Sequence, residues 1–386
     1  MNKKLLLTAS SFPPYLTPSA VLVKNIFDEY RQPFYAFASS AFSKIDNSFI
    51  PPCDAKYLKF PTGRIAEYIS RNYHHFFLTI YVKKLEKIVK SYRPDIIFAN
   101  YPRDVMLVAS FIVSKKYNIP IFIYMHDLWE ENVYKNQSKS AHVFAKKWES
   151  VIFNNSERII CCTEMMKEHY NNKYKISADI IYHSIPDQEI DIKNFEKNEL
   201  KKEKFTIAYA GSISRLMNLD NFQTIKKALE LLPENFCLKI YPLSYLNLEK
   251  LGLNSKKISQ EIVSREELKQ KLNQADLVFA PLAFNSTSID EVMTVFSNKL
   301  LSYLVSGTPI LSFGPKGCYH NQSASNGGWG IVLDENNEKK LAETILDFYK
   351  GKYDNSSLLK NAKIEAGERR ASLAAKKIKN WVNNID

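Results

Sequence analysis

The stretch FTIAYAGSISRLMNLDNF, residues 205–222, decides how the chain folds. Phe205 to Ala210 is a short aromatic, β-branched and small-apolar run, the composition of a strand covered on both faces. Gly211 ends the run, and a helix is expected from about Leu219. Lacking a Cβ, glycine lets backbone pass close to a neighbour or a ligand. Ser212 and Ser214 place hydroxyls beside it, and Arg215 follows in the same turn. Strand, glycine turn and helix in that order make one βα unit.

The unit recurs on both sides. Upstream, KKLLLTA, PFYAFA, DIIFAN, PIFIYM, RIICC and ADIIY alternate with helical sequence; downstream come FCLKIY, KISQEIV, DLVFAPL, TPILSF and GIVL. Residues 104–117 carry Val105, Val108, Ala109, Ile112 and Val113 at helical spacing, which predicts one apolar face. Between the two runs, residues 186–204 are charged and aperiodic, the texture of a linker. A chain of 386 residues also exceeds what one core supports. The expected fold class is therefore α/β, with two doubly wound Rossmann-like domains facing across a cleft. The expected boundaries are an N-terminal domain over 1–188, a linker over 189–204, a second domain over 205–366, and a C-terminal helix over 367–386 packing back on the first domain. Ligands of such sheets bind beyond the carboxyl ends of the strands.

Composition narrows the partners. Lys and Arg number 53 against 41 Asp and Glu, a formal charge of +12, which draws the chain to phosphate-bearing molecules such as nucleotides, nucleic acid or anionic lipid. No recognised nucleic-acid motif is present, so only non-specific attraction to nucleic acid is expected. The five cysteines, Cys53, Cys161, Cys162, Cys237 and Cys318, lack metal-ligand spacing and read as buried reduced thiols of a cytoplasmic protein. No metal site is apparent, and no cofactor is expected. MNKKLLLTASSF reads as a first strand rather than a leader, and no window approaches the length of a transmembrane helix. Residues 64–93 mix aromatics with Arg64, Arg71, Lys83, Lys84, Lys87, Lys90 and Arg93; such a helix suits an anionic membrane surface, or a core helix with one solvated face.

A second stretch, FSNKLLSYLVSGTPILSF at residues 296–313, reads as helix, stop and strand. Ser297 is expected to cap the helix with its side chain, and Gly307 to supply the left-handed residue that ends it. The strand DLVFAPL and a loop over 283–296 lead into this helix. Its first amides, together with Lys299 in the first turn, would favour an anion. Upstream, MHDLWEEN places His126 and Asp127 just past a strand's carboxyl end, where either can accept a proton.

With YAGSISRLMNLDNF opening the second half, and ADLVFAPL, FSNKLLSYLVSGTPIL and GWGIVL following in order, the chain resembles GT-B fold glycosyltransferases of the family-4 group, the retaining sugar-nucleotide transferases of bacteria. PDIIFANYP followed by NIPIFIYMHDLWEE resembles the middle of that group's N-terminal domain. The resemblance implies transfer of a sugar, with retention and without a metal, from a nucleotide-sugar to a hydroxyl of a glycan or lipid-linked acceptor, in cell-surface polysaccharide assembly. It implies that Arg215 faces the donor diphosphate, which a planar guanidinium can grip through two oxygens. His126 and Asp127 would orient a donor or acceptor hydroxyl. Gly211, Ser212, Ser214, Ser297, Asn298 and Ser302 would line the donor, and Lys299 would stabilise the leaving diphosphate. The group's paired glutamates are replaced by Thr294 and Ser302, leaving Asp290 and Glu291 nearby to contact sugar or ribose. The alternatives are a nucleotide-sugar epimerase of the same fold and a binding protein with a decayed site.

Overall fold

The computed structural model describes residues 3–39, 44–45, 53–58, 68, 73–102, 104–191, 204–214 and 217–385. It divides into two compact units, one of Met1–Pro186 with Arg369–Asp386, the other of Asp187–Glu368.

The first unit holds strands β1 (Leu5–Ala9), β2 (Tyr15–Leu16), β3 (Phe34–Ser39), β4 (Lys44–Ile45), β5 (Asp54–Leu58), β6 (Ile96–Tyr101), β7 (Ile121–Met125), β8 (Arg158–Cys161) and β9 (Asp179–Ile180). Seven of them form a parallel sheet in the order β5-β3-β1-β6-β7-β8-β9, while β2 and β4 pair separately. The direction of winding reverses between β1 and β6, the switch point of a doubly wound sheet. β1, β6 and β7 are buried at every residue, which is why they read as unbroken apolar runs. β5 (DAKYL) carries alternating polar residues at the sheet edge, so apolarity gave no hint of it.

Helix Pro18–Tyr30 starts on Thr17, whose side chain accepts from the amide of Ala20. The helix expected at 104–117 forms as Asp104–Tyr117, but Asp104 to Phe111, Val113 and Ser114 are all buried. It is enclosed on nearly every side rather than amphipathic. The long helical stretch is shorter than expected: a 3-10 turn at His74–Phe77 leads into helix Leu78–Tyr92, and Arg64 and Arg71 lie outside the described residues. The C-terminal helix Ala371–Asn383 packs on helix Pro18–Tyr30 through Ala371, Ala374, Ala375, Ile378 and Val382. Small residues at that contact let the helices approach closely.

The second unit holds β10 (Phe205–Ala210), β11 (Phe236–Tyr241), β12 (Ile258–Gln260), β13 (Leu277–Pro281), β14 (Ile310–Phe313) and β15 (Gly330–Leu333). They form a parallel sheet in the order β12-β11-β10-β13-β14-β15, with its switch point between β10 and β13. Gly211 therefore sits at the carboxyl end of the switch strand. Asp187–Asp191 is a short helix of this unit, and residues 192–203 of the expected linker lie outside the described residues.

A partly buried charge cluster lies in the first unit. Helices Glu130–Asn136, Lys139–Phe153 and Glu164–Tyr174 contribute Glu130 and Glu131, Glu149, and Lys173. The Lys173 ammonium lies 2.9 Å from Glu130, 2.7 Å from Glu131 and 2.7 Å from Glu149. It occupies the place that a metal ion would take among these three carboxylates. Glu149 is fully buried, and desolvation raises its carboxyl in spite of Lys173. Glu131 goes the other way: against the pull of burial, bonds from His169 and Lys173 hold it down at about 2. Removing one partner of such a cluster leaves uncompensated buried charge. Lys173→Met should therefore lower unfolding stability by about 3 kcal/mol or more at pH 7, read by urea denaturation. The contribution of Glu131 is complete above its ordinary value of 4.5 and lost as pH falls toward 2, so the variant should lose less stability than the wild type over that window.

Candidate functional site

Each unit carries a cluster at the carboxyl ends of its strands. In the second unit, Gly211 has φ +117, and a Cβ there would lie 2.6 Å from Cε of Lys299. The backbone angle strains any side chain, and a Cβ would push the flexible end of Lys299 aside. Lys299 is half-buried, its stem on Gly211 and its ammonium 4.9 Å from the centroid of the Tyr209 ring. Desolvation pushes its pKa down to about 8, and no carboxylate pairs with it among the described residues. A half-buried cation without a counter-ion is a place where an anion gains.

Polar side chains fix this geometry from behind. The Tyr303 hydroxyl, one helical turn beyond Lys299, accepts from the amide of Ala210 at 2.8 Å. Asn218 donates to the Tyr209 hydroxyl at 2.8 Å and accepts from the amide of Ser214 at 2.8 Å. Asp220 accepts from the amides of Phe284 and Asn285, and Asn221 donates to the carbonyls of Leu282 and Phe313. Helix Leu219–Leu231 thus has its first turn stitched to the ends of β13 and β14.

Several expectations change here. Ser297 stands at the N-cap of helix Asn298–Leu304, but its side chain makes no capping bond; its carbonyl accepts from Leu300 instead. Its backbone, at φ −61 and ψ 131, is the extended conformation of a cap. The helix has only seven residues, so its dipole is small and the ammonium of Lys299 carries the charge. Lys299 itself is half-buried. Gly307 does take the left-handed conformation, at φ +72, but it stands in the turn beyond the helix, which ends at Leu304 with Val305 as C-cap at φ −102. The Ser214 hydroxyl accepts from the amide of Met217 and so holds the turn, while Ser212 is exposed. The segment 283–296 is not all loop: Asp290 and Glu291 stand in the first turn of helix Ile289–Thr294. Asn298 and Ser302 are exposed. Arg215 lies outside the described residues.

In the first unit, His126 follows β7 and is buried, 3% exposed. Its Nδ1 lies 2.9 Å from Nε2 of His183, beyond β9, and its ring centroid 4.4 Å from that of Tyr124. The Cys162 thiol donates to the His126 carbonyl at 3.3 Å. Burial, with His183 alongside, holds His126 well below the ordinary imidazole range, so the ring is neutral. Asp127 is half-buried, and desolvation pushes its carboxyl up to about 6. Behind them, the amide of Trp129 donates to the Tyr170 hydroxyl at 2.9 Å and that of Glu130 to Glu149 at 2.8 Å. The Lys173 cluster thereby anchors the segment that carries His126 and Asp127.

The sequence reading missed Tyr303, Asn218, Asp220, Asn221, His183 and Glu149. Tyr303 had a usable signal, since it stands four residues after Lys299 and shares its helix face. So had Asn218, Asp220 and Asn221, polar residues gathered at a helix start. His183 and Glu149 had none, because their partners come from distant strands and helices. The cysteines are all unpaired, but Cys53 and Cys237 are only half-buried.

Residues 52–189 match the model of Glycosyltransferase Family 4. No protein of curated function matches the chain by sequence. Among solved structures, a glycosyltransferase from Rickettsia africae superposes with TM-score 0.70 at 14% identity, covering 100% of both chains. Anabaena HepE, solved in complex with UDP-glucose, gives 0.65 at 14% identity over 99% of this chain and 100% of its own. Sucrose-phosphate synthase from Thermosynechococcus elongatus gives 0.71 at 14% identity over 99% and 98%. The chain has the GT-B fold of two Rossmann-like domains and, with the match over residues 52–189, resembles the family-4 group of GT-B glycosyltransferases.

Proposed function

We propose that the chain is a glycosyltransferase that moves a sugar from a nucleotide-sugar to a hydroxyl of a glycan or lipid-linked acceptor in cell-surface polysaccharide assembly. One observation carries the reading: the half-buried Lys299, with no carboxylate partner among the described residues, lies on Gly211 at the carboxyl end of the switch strand. A nucleoside diphosphate bound there supplies the missing counter-charge. When the glycosidic bond breaks, negative charge grows on the leaving diphosphate, and a cation already fixed in place stabilises it without reorganisation. In this reading Arg215, which follows Gly211 by four residues in the sequence, supplies a second cation, and the diphosphate is neutralised without a divalent ion. Asp127 and His126 serve as hydroxyl-orienting groups on the first unit.

The membrane reading rests on helix Leu78–Tyr92 and the turn before it. Lys83, Lys84, Lys87 and Lys90 are exposed along the helix. Tyr68, Tyr73, Phe76 and Ile80 are exposed at its start, Phe76 at 72%. Tyr73 and Phe76 stack with centroids 6.1 Å apart. Aromatic rings beside a row of lysines suit the interface of an anionic bilayer.

Three outcomes are expected. Lys299→Met keeps the apolar stem on Gly211 and removes the charge; turnover of nucleotide-sugar, assayed in EDTA, should fall about 10²-fold with little change in melting temperature. Full turnover in a folded variant would move the phosphate site elsewhere. The ammonium is charged below about 8 and neutral above it. Affinity for the best-binding nucleoside diphosphate should therefore weaken as pH rises from 7 to 9, by up to about tenfold per unit beyond that value, and be flat in Lys299→Met. Finally, the protein should float with anionic vesicles at low salt. The double variant Lys84→Glu, Lys87→Glu should not float, yet should turn over a soluble acceptor analogue normally.

A further inference from the structure

A second helix of the first unit presents a row of lysines beside the exposed aromatic turn. Helix Asp104–Tyr117 packs against both helix Leu78–Tyr92 and helix Lys139–Phe153. The 3-10 turn His74–Phe77 links the outer two: it packs on helix Asp104–Tyr117, and the centroid of the His75 ring lies 5.4 Å from that of Phe144. Phe76, the most exposed of the aromatic residues there, follows directly.

The exposed residues of helix Lys139–Phe153 are Lys139, Ser140, Val143, Lys146, Lys147 and Val151. Lys139, Val143, Lys146, Lys147 and Val151 stand at i, i+4, i+7, i+8 and i+12, which at 3.6 residues per turn is a single face. Phe144 lies at its margin and makes the contact with His75. The one carboxylate of this helix, Glu149, is buried against Lys173. Several lysines elsewhere are paired: Lys24 with Asp28, Lys116 with Glu86, Lys271 with Glu261, Lys340 with Glu335 and Lys352 with Asp347. Lys139, Lys146 and Lys147 have no carboxylate within ion-pair distance among the described residues, and neither have Lys83, Lys84, Lys87 and Lys90 of helix Leu78–Tyr92. Cations left without counter-ions and interspersed with apolar side chains match a surface of many anions over an apolar interior. A soluble polyanion would satisfy the lysines but offer nothing to the exposed valines.

We infer that helix Lys139–Phe153 is a second membrane-contact element, which lies on an anionic bilayer together with residues 73–90 and is joined to them through His75 and Phe144. The inference rests on the reading of residues 73–90 as membrane-facing. One contact element leaves the unit free to roll on the bilayer, whereas two define a plane. The carboxyl edge of the first sheet is then held at a set attitude toward a lipid-linked acceptor.

The test is partition onto vesicles of phosphatidylglycerol and phosphatidylcholine at low salt, measured by flotation. Lys146→Gln, Lys147→Gln should lower the partition coefficient about 30-fold, at about fivefold for each lysine near an anionic surface. Lys376→Gln, Lys379→Gln removes the same charge from the exposed side of helix Ala371–Asn383, which packs on helix Pro18–Tyr30, and should leave partition near that of the wild type. Val143→Ser keeps every charge and should also lower partition, with an unchanged melting temperature. Wild-type partition in Lys146→Gln, Lys147→Gln overturns the inference, and so does an equal loss in the control pair, which would reduce the effect to net charge. A loss in the lysine variant with none in Val143→Ser would mark the face as a site for a soluble polyanion and overturn the bilayer as its partner. A wild type that does not float sinks the reading of residues 73–90 and this one with it. If the wild type floats and Lys84→Glu, Lys87→Glu does not, while Lys146→Gln, Lys147→Gln still floats fully, only the second element falls.

Discussion

Parallel pairing on both edges of one strand is the constraint from which each unit follows. β1 pairs with β3 and β6, and β10 with β11 and β13, every pair parallel. A parallel pair cannot be closed by a tight turn, so each strand must be followed by a crossover, usually a helix. The crossovers cover both faces and bury the strands, which explains the unbroken apolar runs. They also deliver every loop that follows a strand to the same edge of the sheet. Where winding reverses, neighbouring loops part and leave room. Gly211 ends the strand at that point in the second unit.

What holds the edges in place is mostly side-chain-to-backbone hydrogen bonding. Tyr303, Asn218, Asp220 and Asn221 satisfy amides and carbonyls that the strands leave over as they end. Buried backbone groups of this kind must find partners, and loops offer few of their own. The same polar side chains therefore meet the backbone's requirement and set the loop positions. In the first unit, Tyr170 and Glu149 do this for the amides of Trp129 and Glu130.

The two clusters treat charge differently. Lys173 is surrounded by carboxylates, and its charge is raised in stability by Glu149 and Glu131 against the cost of burial. Lys299 has an aromatic face and a glycine beside it and no carboxylate partner among the described residues, and burial lowers its pKa. A satisfied cation of the first kind anchors structure. An unsatisfied one of the second kind favours a ligand that brings the missing charge. The contrast, more than the identity of the residue, separates an anchoring lysine from a site lysine here.

The amino-acid sequence by itself determined the alternation of strands and helices, the glycine at the end of Phe205–Ala210 and the left-handed turn residue Gly307. These are local properties, written in apolar runs and in the absence of a Cβ. It also placed Lys299, His126 and Asp127 near strand or helix ends, since each lies within a few residues of a recognisable boundary. The edge strand Asp54–Leu58 was illegible, because an exposed edge does not need apolar residues. Only the tertiary structure decided that Lys299 lies on Gly211, that His183 meets His126, and that Lys173 joins carboxylates from two other helices. Each of these contacts links residues far apart in the chain, and no periodicity encodes which loop will stand beside which at the edge of a sheet. Ser297 and Ser214 make the same point: their chemistry suited a cap and a ligand, and the backbone around them assigned other partners.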